Sequence, residues 1–281
     1  MLLRLGTRHF DLAERPVVIG ILNRTRDSFS DRGAYYELDR LLTRAEQLVA
    51  DGADVLEVGA RPGGVGVAEV GPDEERDLAA ETIAALRSRF DVPLAVDTTR
   101  AGVAEAAFAE GAVLGNDMSG CLDPAYLPTV AAADAAVVVT HIRRPPGVPD
   151  PDPVYADLLG EVSDRLTALA QAAQDAGIDG DRVIVDPGID LGKSWRQSLQ
   201  LLARLDDIVS LDCPVLVAVS NKIFLRRTLG LDGAPLDVAT AAACALGASV
   251  GGHVIRVHDA RIGRQAADLA YALAAARGRG T

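Results

Sequence analysis

The chain has 281 residues, 49% of them apolar and 24% charged, a composition that excludes disorder and collagen-like repetition and is long enough to bury a large core. The formal net charge of −12 argues against a general nucleic-acid or anionic-membrane surface, so any anionic ligand needs a local cationic pocket. Cys121, Cys213 and Cys244 are widely spaced, odd in number and free of any CxxC pattern, which predicts reduced thiols rather than disulfides or a zinc knuckle.

The chain opens with two short runs, LLRLG and RHFDL, that read as a β-hairpin capping one end of the fold. This opening carries Arg4, Arg8, His9 and Asp11 and has no apolar core of a signal peptide; no stretch of the chain is apolar enough to span a membrane. Eight β-branched runs follow: Val17–Leu22, Val55–Val58, Leu94–Val96, Val113–Gly115, Ala136–Val139, Val183–Val185, Val215–Val219 and Val254–Val257. Amphipathic segments lie between them, at Leu38–Ala50, Pro72–Phe90, Ala101–Glu110, Tyr155–Ala176, Trp195–Ile208 and Asp237–Gly247. Glycines 52, 111 and 177 fall just past helix ends, where a left-handed residue is wanted.

Strands separated by helices imply parallel pairing with right-handed crossovers. Eight units over 281 residues average about 35 residues each, the size of a βα unit. The expected fold is therefore an α/β protein, a single-domain TIM (β/α)8 barrel over 1–281, in preference to an open doubly wound sheet. The Pro-rich stretch Arg144–Pro153 reads as a surface loop.

Polar residues gather where the strands end: Asn23, Glu57, Asp97, Asn116, Asp117, His141, Asp186, Ser220, Lys222, Arg256 and His258. In such a barrel these positions share the C-terminal mouth, where active sites are built. A single polar residue after a strand is also what a helix cap looks like, but eight strand ends together exceed that need. Asp97, Asn116 and Asp186 suit a planar heterocycle with several N–H donors. Lys222, Arg256, His258 and Arg61 suit a phosphate or carboxylate and a departing oxyanion. Asn23 and Asp27 offer oxygen ligands to a hydrated Mg2+.

At these residues the sequence resembles the dihydropteroate synthase family of pterin-binding barrels. The run from Gly20 to Gly33, GILNRTRDSFSDRG, is similar to that family's MGILNxTPDSFSDGG. Val96-Asp97-Thr98 matches VDT, Gly115-Asn116-Asp117 matches IND, and His141 falls at the MH step. Asp186 to Lys193, DPGIDLGK, resembles DPGIGFGK; Ser220-Asn221-Lys222 resembles SRK; Arg256 to Asp259 reads RVHD. The matches run in order over residues 17 to 260.

The resemblance implies condensation of a pterin pyrophosphate with 4-aminobenzoate, with release of pyrophosphate, by a cytoplasmic and commonly dimeric enzyme. Carried over, Asp97, Asn116 and Asp186 would hold the pterin edge, and Lys222 would contact the ring and the second substrate. Ser220, Arg256 and His258 would face the substrate, the last two its pyrophosphate, with Asn23 on Mg2+. Asp27 and Arg61 would arrive on the two mobile loops.

The sequence also departs from the family. Glu57 stands for an Asp, the second loop is shorter and lacks the Ser-Thr pair of GGESTRPG, and Arg26 replaces a Pro, restoring a backbone N–H. Asp190 and Leu191 replace Gly and Phe, and Asn221 replaces an Arg. These changes leave open a divergent second-copy homologue with another acceptor or no synthase activity, a corrinoid-linked pterin methyltransferase, or a non-catalytic pterin-binding protein. Other residues read as structural: His9 and His253, Trp195 as packing, Gly59, Gly63, Gly64 and Gly66 as a flexible loop, and Arg143, Arg144, Arg226 and Arg227 as solvated.

Overall fold

The computed structural model describes residues 1–25, 35–61 and 70–278. An antiparallel hairpin, β1 (Leu2–Leu5) and β2 (Arg8–Asp11), precedes the barrel. Its turn needs Gly6, which sits at φ +58° and so close to the barrel that a Cβ would lie 2.9 Å from Val113.

The barrel strands are β3 (Val17–Asn23), β4 (Val55–Gly59), β5 (Leu94–Asp97), β6 (Leu114–Asp117), β7 (Ala136–Thr140), β8 (Val183–Asp186), β9 (Leu216–Val217) and β10 (Val254–Val257). All pair in parallel in the order β8-β7-β6-β5-β4-β3-β10-β9. A parallel bridge between Val185 and Val215, with the Val185 amide donating to the Pro214 carbonyl at 2.9 Å, closes the ring. The expected (β/α)8 barrel with its hairpin is the observed fold.

Ten helices coat the ring: α1 (Leu38–Ala50), α2 (Pro72–Arg87), α3 (Ala101–Ala109), α4 (Tyr126–Ala132), α5 (Leu158–Asp175), α6 (Trp195–Ala203), α7 (Leu205–Val209), α8 (Ile223–Leu229), α9 (Asp237–Ser249) and α10 (Ala260–Ala276), counted among the described residues. Among the boundaries that differ from the sequence reading, three have clear local reasons. The segment expected from Tyr155 starts at Leu158, because Asp157 takes the N-cap and accepts from the Gly160 amide at 3.1 Å. Tyr155 instead donates its hydroxyl to the Gly192 carbonyl at 2.8 Å. The Trp195–Ile208 segment breaks at Arg204, whose φ/ψ of −122°/32° is not helical. The expected Val215–Val219 strand keeps only Leu216 and Val217 as a paired strand.

Side chains alternate across each strand, and the core divides accordingly. Val18, Leu56, Val58, Val96, Val137, Val139, Val185, Val217 and Ile255 pack outward against the helices. Val17, Ile19, Val55, Ala95, Leu114, Ala136, Val138, Ile184, Leu216 and Val254 pack inward, and Leu3, Leu5 and Leu12 of the hairpin close that inner core from below. Burying one such leucine contributes about 2 kcal/mol. Following the inward parity up each strand leads to Asn23, Glu57, Asp97, Asn116, Thr140, Asp186, Ser220 and Arg256. The bottom of the barrel is thus apolar and plugged, and its mouth is polar.

Candidate active site

Glu57 is the hub of the mouth. It is fully buried on β4 and accepts from Nε of Arg256 at 2.6 Å and from Nδ2 of Asn116 at 2.8 Å. Arg256 also donates from Nη2 to Oδ2 of Asp97 at 2.6 Å. Four residues from four strands therefore form one charge-assisted network. Because Asn116 spends an N–H on Glu57, its amide is fixed by this bond, and its oxygen is left to accept.

Two carboxylates share one guanidinium here. Burial raises the Asp97 carboxyl above the usual carboxylate range, Arg256 pulls it back, and Glu57 pushes it further up. Burial alone would lower Arg256, yet Glu57 and Asp97 carry it above its usual value. Arg256 stays charged throughout.

Asp186 sits inward at the end of β8 and accepts from the Gly188 amide at 2.7 Å. Only glycine fits at 188: φ is +67° and a Cβ would collide with the His141 carbonyl. Lys222, just after β9, donates to the Ile189 carbonyl of that same loop. Burial lowers the Lys222 ammonium, while Asp186 and then Asp190 oppose the loss of its charge.

Ser220 and His258 form a pair, with Oγ and Nδ1 2.9 Å apart. The His258 amide donates to the same Oγ at 3.3 Å. In the tautomer whose Nδ1 accepts from this hydroxyl, the imidazole hydrogen stands on Nε2 and can donate to an anion. Burial, with Arg256, Arg44 and Lys222 nearby, pushes His258 down to about 4, so it is neutral at pH 7. Arg44 donates to the His258 carbonyl at 2.6 Å.

Arg61 follows β4 and donates to the Thr99 hydroxyl at 3.2 Å, close enough to Asp97 to act on its charge. Asn23 ends β3 with its Oδ1 only 3.3 Å from where a Cβ on Gly59 would stand. Asp27 lies outside the described residues, as do residues 62–69 of the second loop.

Two residues named with the mouth have other places. Asp117 alternates outward from Asn116, is buried, and lies by Tyr126 and Cys121 behind the strand. His141 lies under the mouth, where its Nδ1 and the Lys193 ammonium are 2.9 Å apart. Lys193 also donates to the carbonyls of Gly188 and Leu191, each at 3.0 Å. Burial pushes Lys193 down to about 7, and burial with the Lys193 charge pushes His141 down to about 3. Lys193 is a tie for the loop after β8, a role that its place in a motif did not reveal. Arg226 is likewise no solvated cation: it donates to the Ala234 carbonyl at 3.0 Å and to that of Leu231. Trp195 packs against the core with Arg196 over its ring.

This fold and mouth define a (β/α)8-barrel enzyme that binds a polar heterocycle beside an anion. The sequence profile of the family described as "Pterin binding enzyme" matches residues 19–258. A dihydropteroate synthase of Synechocystis sp. is 34% identical over 273 residues, which is 96% of this chain and 94% of that protein. A Yersinia pestis dihydropteroate synthase solved with a sulfonamide drug complex superposes with a TM-score of 0.92 at 32% identity, over 98% of this chain and 100% of that one. A Xanthomonas albilineans dihydropteroate synthase solved with 4-aminobenzoic acid gives 0.87 at 34% identity, over 98% of each chain. The chain belongs to the dihydropteroate synthase family of pterin-binding enzymes.

Proposed function

We propose how this mouth performs the dihydropteroate synthase reaction of folate biosynthesis, in which 6-hydroxymethyl-7,8-dihydropterin pyrophosphate condenses with 4-aminobenzoate. Asp97, Asn116 and Asp186 hold the pterin edge. Carboxylates accept from the amino and ring N–H groups, and the Asn116 oxygen, held outward by Glu57, accepts a third. Lys222 lies over the ring and meets the incoming arylamine. Arg256, Ser220 and His258 face the pyrophosphate, with Asp27 and Arg61 completing that side from the two loops.

The chemistry separates charge. The carbon–oxygen bond breaks toward pyrophosphate, the pterin methylene becomes electron-poor, and the amine nitrogen attacks it and then loses a proton. Carboxylates on the pterin side stabilise the positive charge; Lys222, Arg256 and the His258 Nε2–H stabilise the negative charge. No covalent nucleophile is needed.

Asn23 would hold Mg2+. Among the described residues no group of three or more His, Cys, Asp or Glu is placed to hold a metal. The Asn23 side chain offers one amide oxygen, which suits an ion that takes its other ligands from water and phosphate, as Mg2+ does in phosphate sites. When bound, the ion would neutralise charge on the pyrophosphate.

The observation that carries these roles is the Glu57–Arg256–Asp97–Asn116 network, which orients an acceptor, a carboxylate and a cation toward one space. Calorimetric titration with the pterin pyrophosphate tests them. Asp186→Ala and Lys222→Ala each weaken binding at least tenfold, and unchanged affinity in both refutes the assignment.

The working unit is a homodimer. Leu246 and Val250 on and after α9, with Leu269 and Leu273 on α10, are exposed on two helices that pack together, which supports a self-association face. Light scattering at twice the monomer mass is the expected result. The reaction runs in the cytoplasm, a reading that the three free cysteines support. No helix among the described residues is long and apolar enough to cross a membrane.

A further inference from the structure

Asp190 occupies a backbone conformation that disfavours it. Its φ is +63°, in the left-handed region, at the point where the matching DPGIGFGK motif has glycine. Asp and Asn tolerate that region better than other side chains do, but glycine is the residue that costs least there. The strained position is tied on two sides. The Asp190 amide donates to Oγ of buried Ser198 on α6 at 3.0 Å. Its Oδ2 accepts from the amide of Phe224 at 3.0 Å.

Phe224 lies in the first turn of α8, and the N-cap of α8 is Lys222. The Lys222 ammonium adds a second contact, donating to the carbonyl of Ile189, the residue before Asp190. The loop after β8 and the start of α8 are thus joined by two bonds, both donated from the α8 side to neighbouring acceptors of the loop. Asn221, between Ser220 and Lys222, is itself left-handed at φ +59°, so the segment that carries Lys222 has an unusual path to hold. The Asp190 carboxylate also favours the charged form of the buried lysine.

We propose that Asp190 is a positioning residue for Lys222: by bonding the Phe224 amide it fixes the start of α8 and so the point from which the lysine reaches over the pterin ring. This rests on the role given to Lys222 above. A glycine at 190 relieves the backbone but loses the bond, so stability and activity move apart. A residue with a merely structural role would move both together.

The test compares Asp190→Gly and Asp190→Asn with the parent in thermal melting and in pyrophosphate release from the pterin substrate with Mg2+ and 4-aminobenzoate. The glycine variant keeps or raises Tm and loses at least tenfold in kcat. The asparagine variant, which tolerates the left-handed backbone and keeps an acceptor for Phe224, stays within about threefold of the parent. If the glycine variant fails to fold, Asp190→Ala takes its place and shows the same loss of kcat beyond its loss of Tm. Parental kcat in the glycine or alanine variant overturns the inference, as does a fall in the asparagine variant equal to theirs. A parent without turnover overturns instead the reading on which it rests.

Discussion

Glu57 and Arg256 meet inside the barrel across the intervening strand β3, joined by a 2.6 Å bond from Nε to the carboxylate. Glu57 has no exposed surface, and Arg256 is its only charged donor in the described structure's hydrogen bonds and ion pairs. Breaking one partner of a buried pair leaves the other uncompensated, at a cost of about 3–5 kcal/mol. Glu57→Gln keeps the volume and removes the charge. Arg256 keeps Asp97 as its counter-charge, so the loss of stability is smaller, about 1–3 kcal/mol, and kcat/KM falls ten- to a hundredfold. It also lowers the pKa of Asp97, because a like charge that raises it is gone. If ionised Asp97 binds the pterin, activity falls as pH drops through its pKa, so the acid limb of the variant moves to lower pH. Kinetics over pH 4–9 and calorimetry check both.

Lys193 closes the loop after β8 from beneath, with carbonyls of Gly188 and Leu191 and the His141 ring within 3.0 Å. Lys193→Met leaves those acceptors buried without a donor. Each costs about 1–3 kcal/mol, so a loss of about 3 kcal/mol or more is expected in urea unfolding. The KM for the pterin rises as well, since Asp186 starts that loop and Ile189, the acceptor for Lys222, lies within it.

His253 links β9 to β10, its Nδ1 accepting from the Val215 amide at 3.2 Å. Burial pushes it down to about 4. The native state then resists a proton that the unfolded chain takes up near pH 6.5, so this residue subtracts stability as pH falls from about 6.5 toward 4. One proton is worth about 1.4 kcal/mol per pH unit. His253→Gln should lose less stability than the parent over that window, by up to about 3 kcal/mol, and parallel pH curves contradict this.

Leu5 belongs to the hairpin plug at the end of the barrel away from the mouth. Leu5→Ala removes about 2–5 kcal/mol of stability and leaves kcat unchanged below the new Tm.

Much of this was legible in the sequence because period-two alternation is simple. Val55 inward makes Glu57 inward, and Ala95 and Leu114 do the same for Asp97 and Asn116. That rule marked the strand ends, but it could not say that Glu57 would bind both Asn116 and Arg256, since pairing depends on the closed ring. The reading of Asp117 as a mouth residue ignored its odd parity. Asp190 was visible only as a charge in place of a glycine; its bond to Phe224 joins segments 34 residues apart. Arg226 looked like a solvated cation, and Lys193 like no more than the end of a motif, because carbonyls, their partners, carry no sequence signal. Asp27 and residues 62–69 of the second loop lie outside the described residues.

The central claim is that this mouth joins 4-aminobenzoate to the pterin with loss of pyrophosphate. Release of pyrophosphate from 6-hydroxymethyl-7,8-dihydropterin pyrophosphate, with Mg2+ and with or without 4-aminobenzoate, tests it most directly. The account predicts release that requires the amine and disappears in Lys222→Ala. Substrate that binds without amine-dependent release, or a Lys222→Ala variant of parental rate, would contradict it.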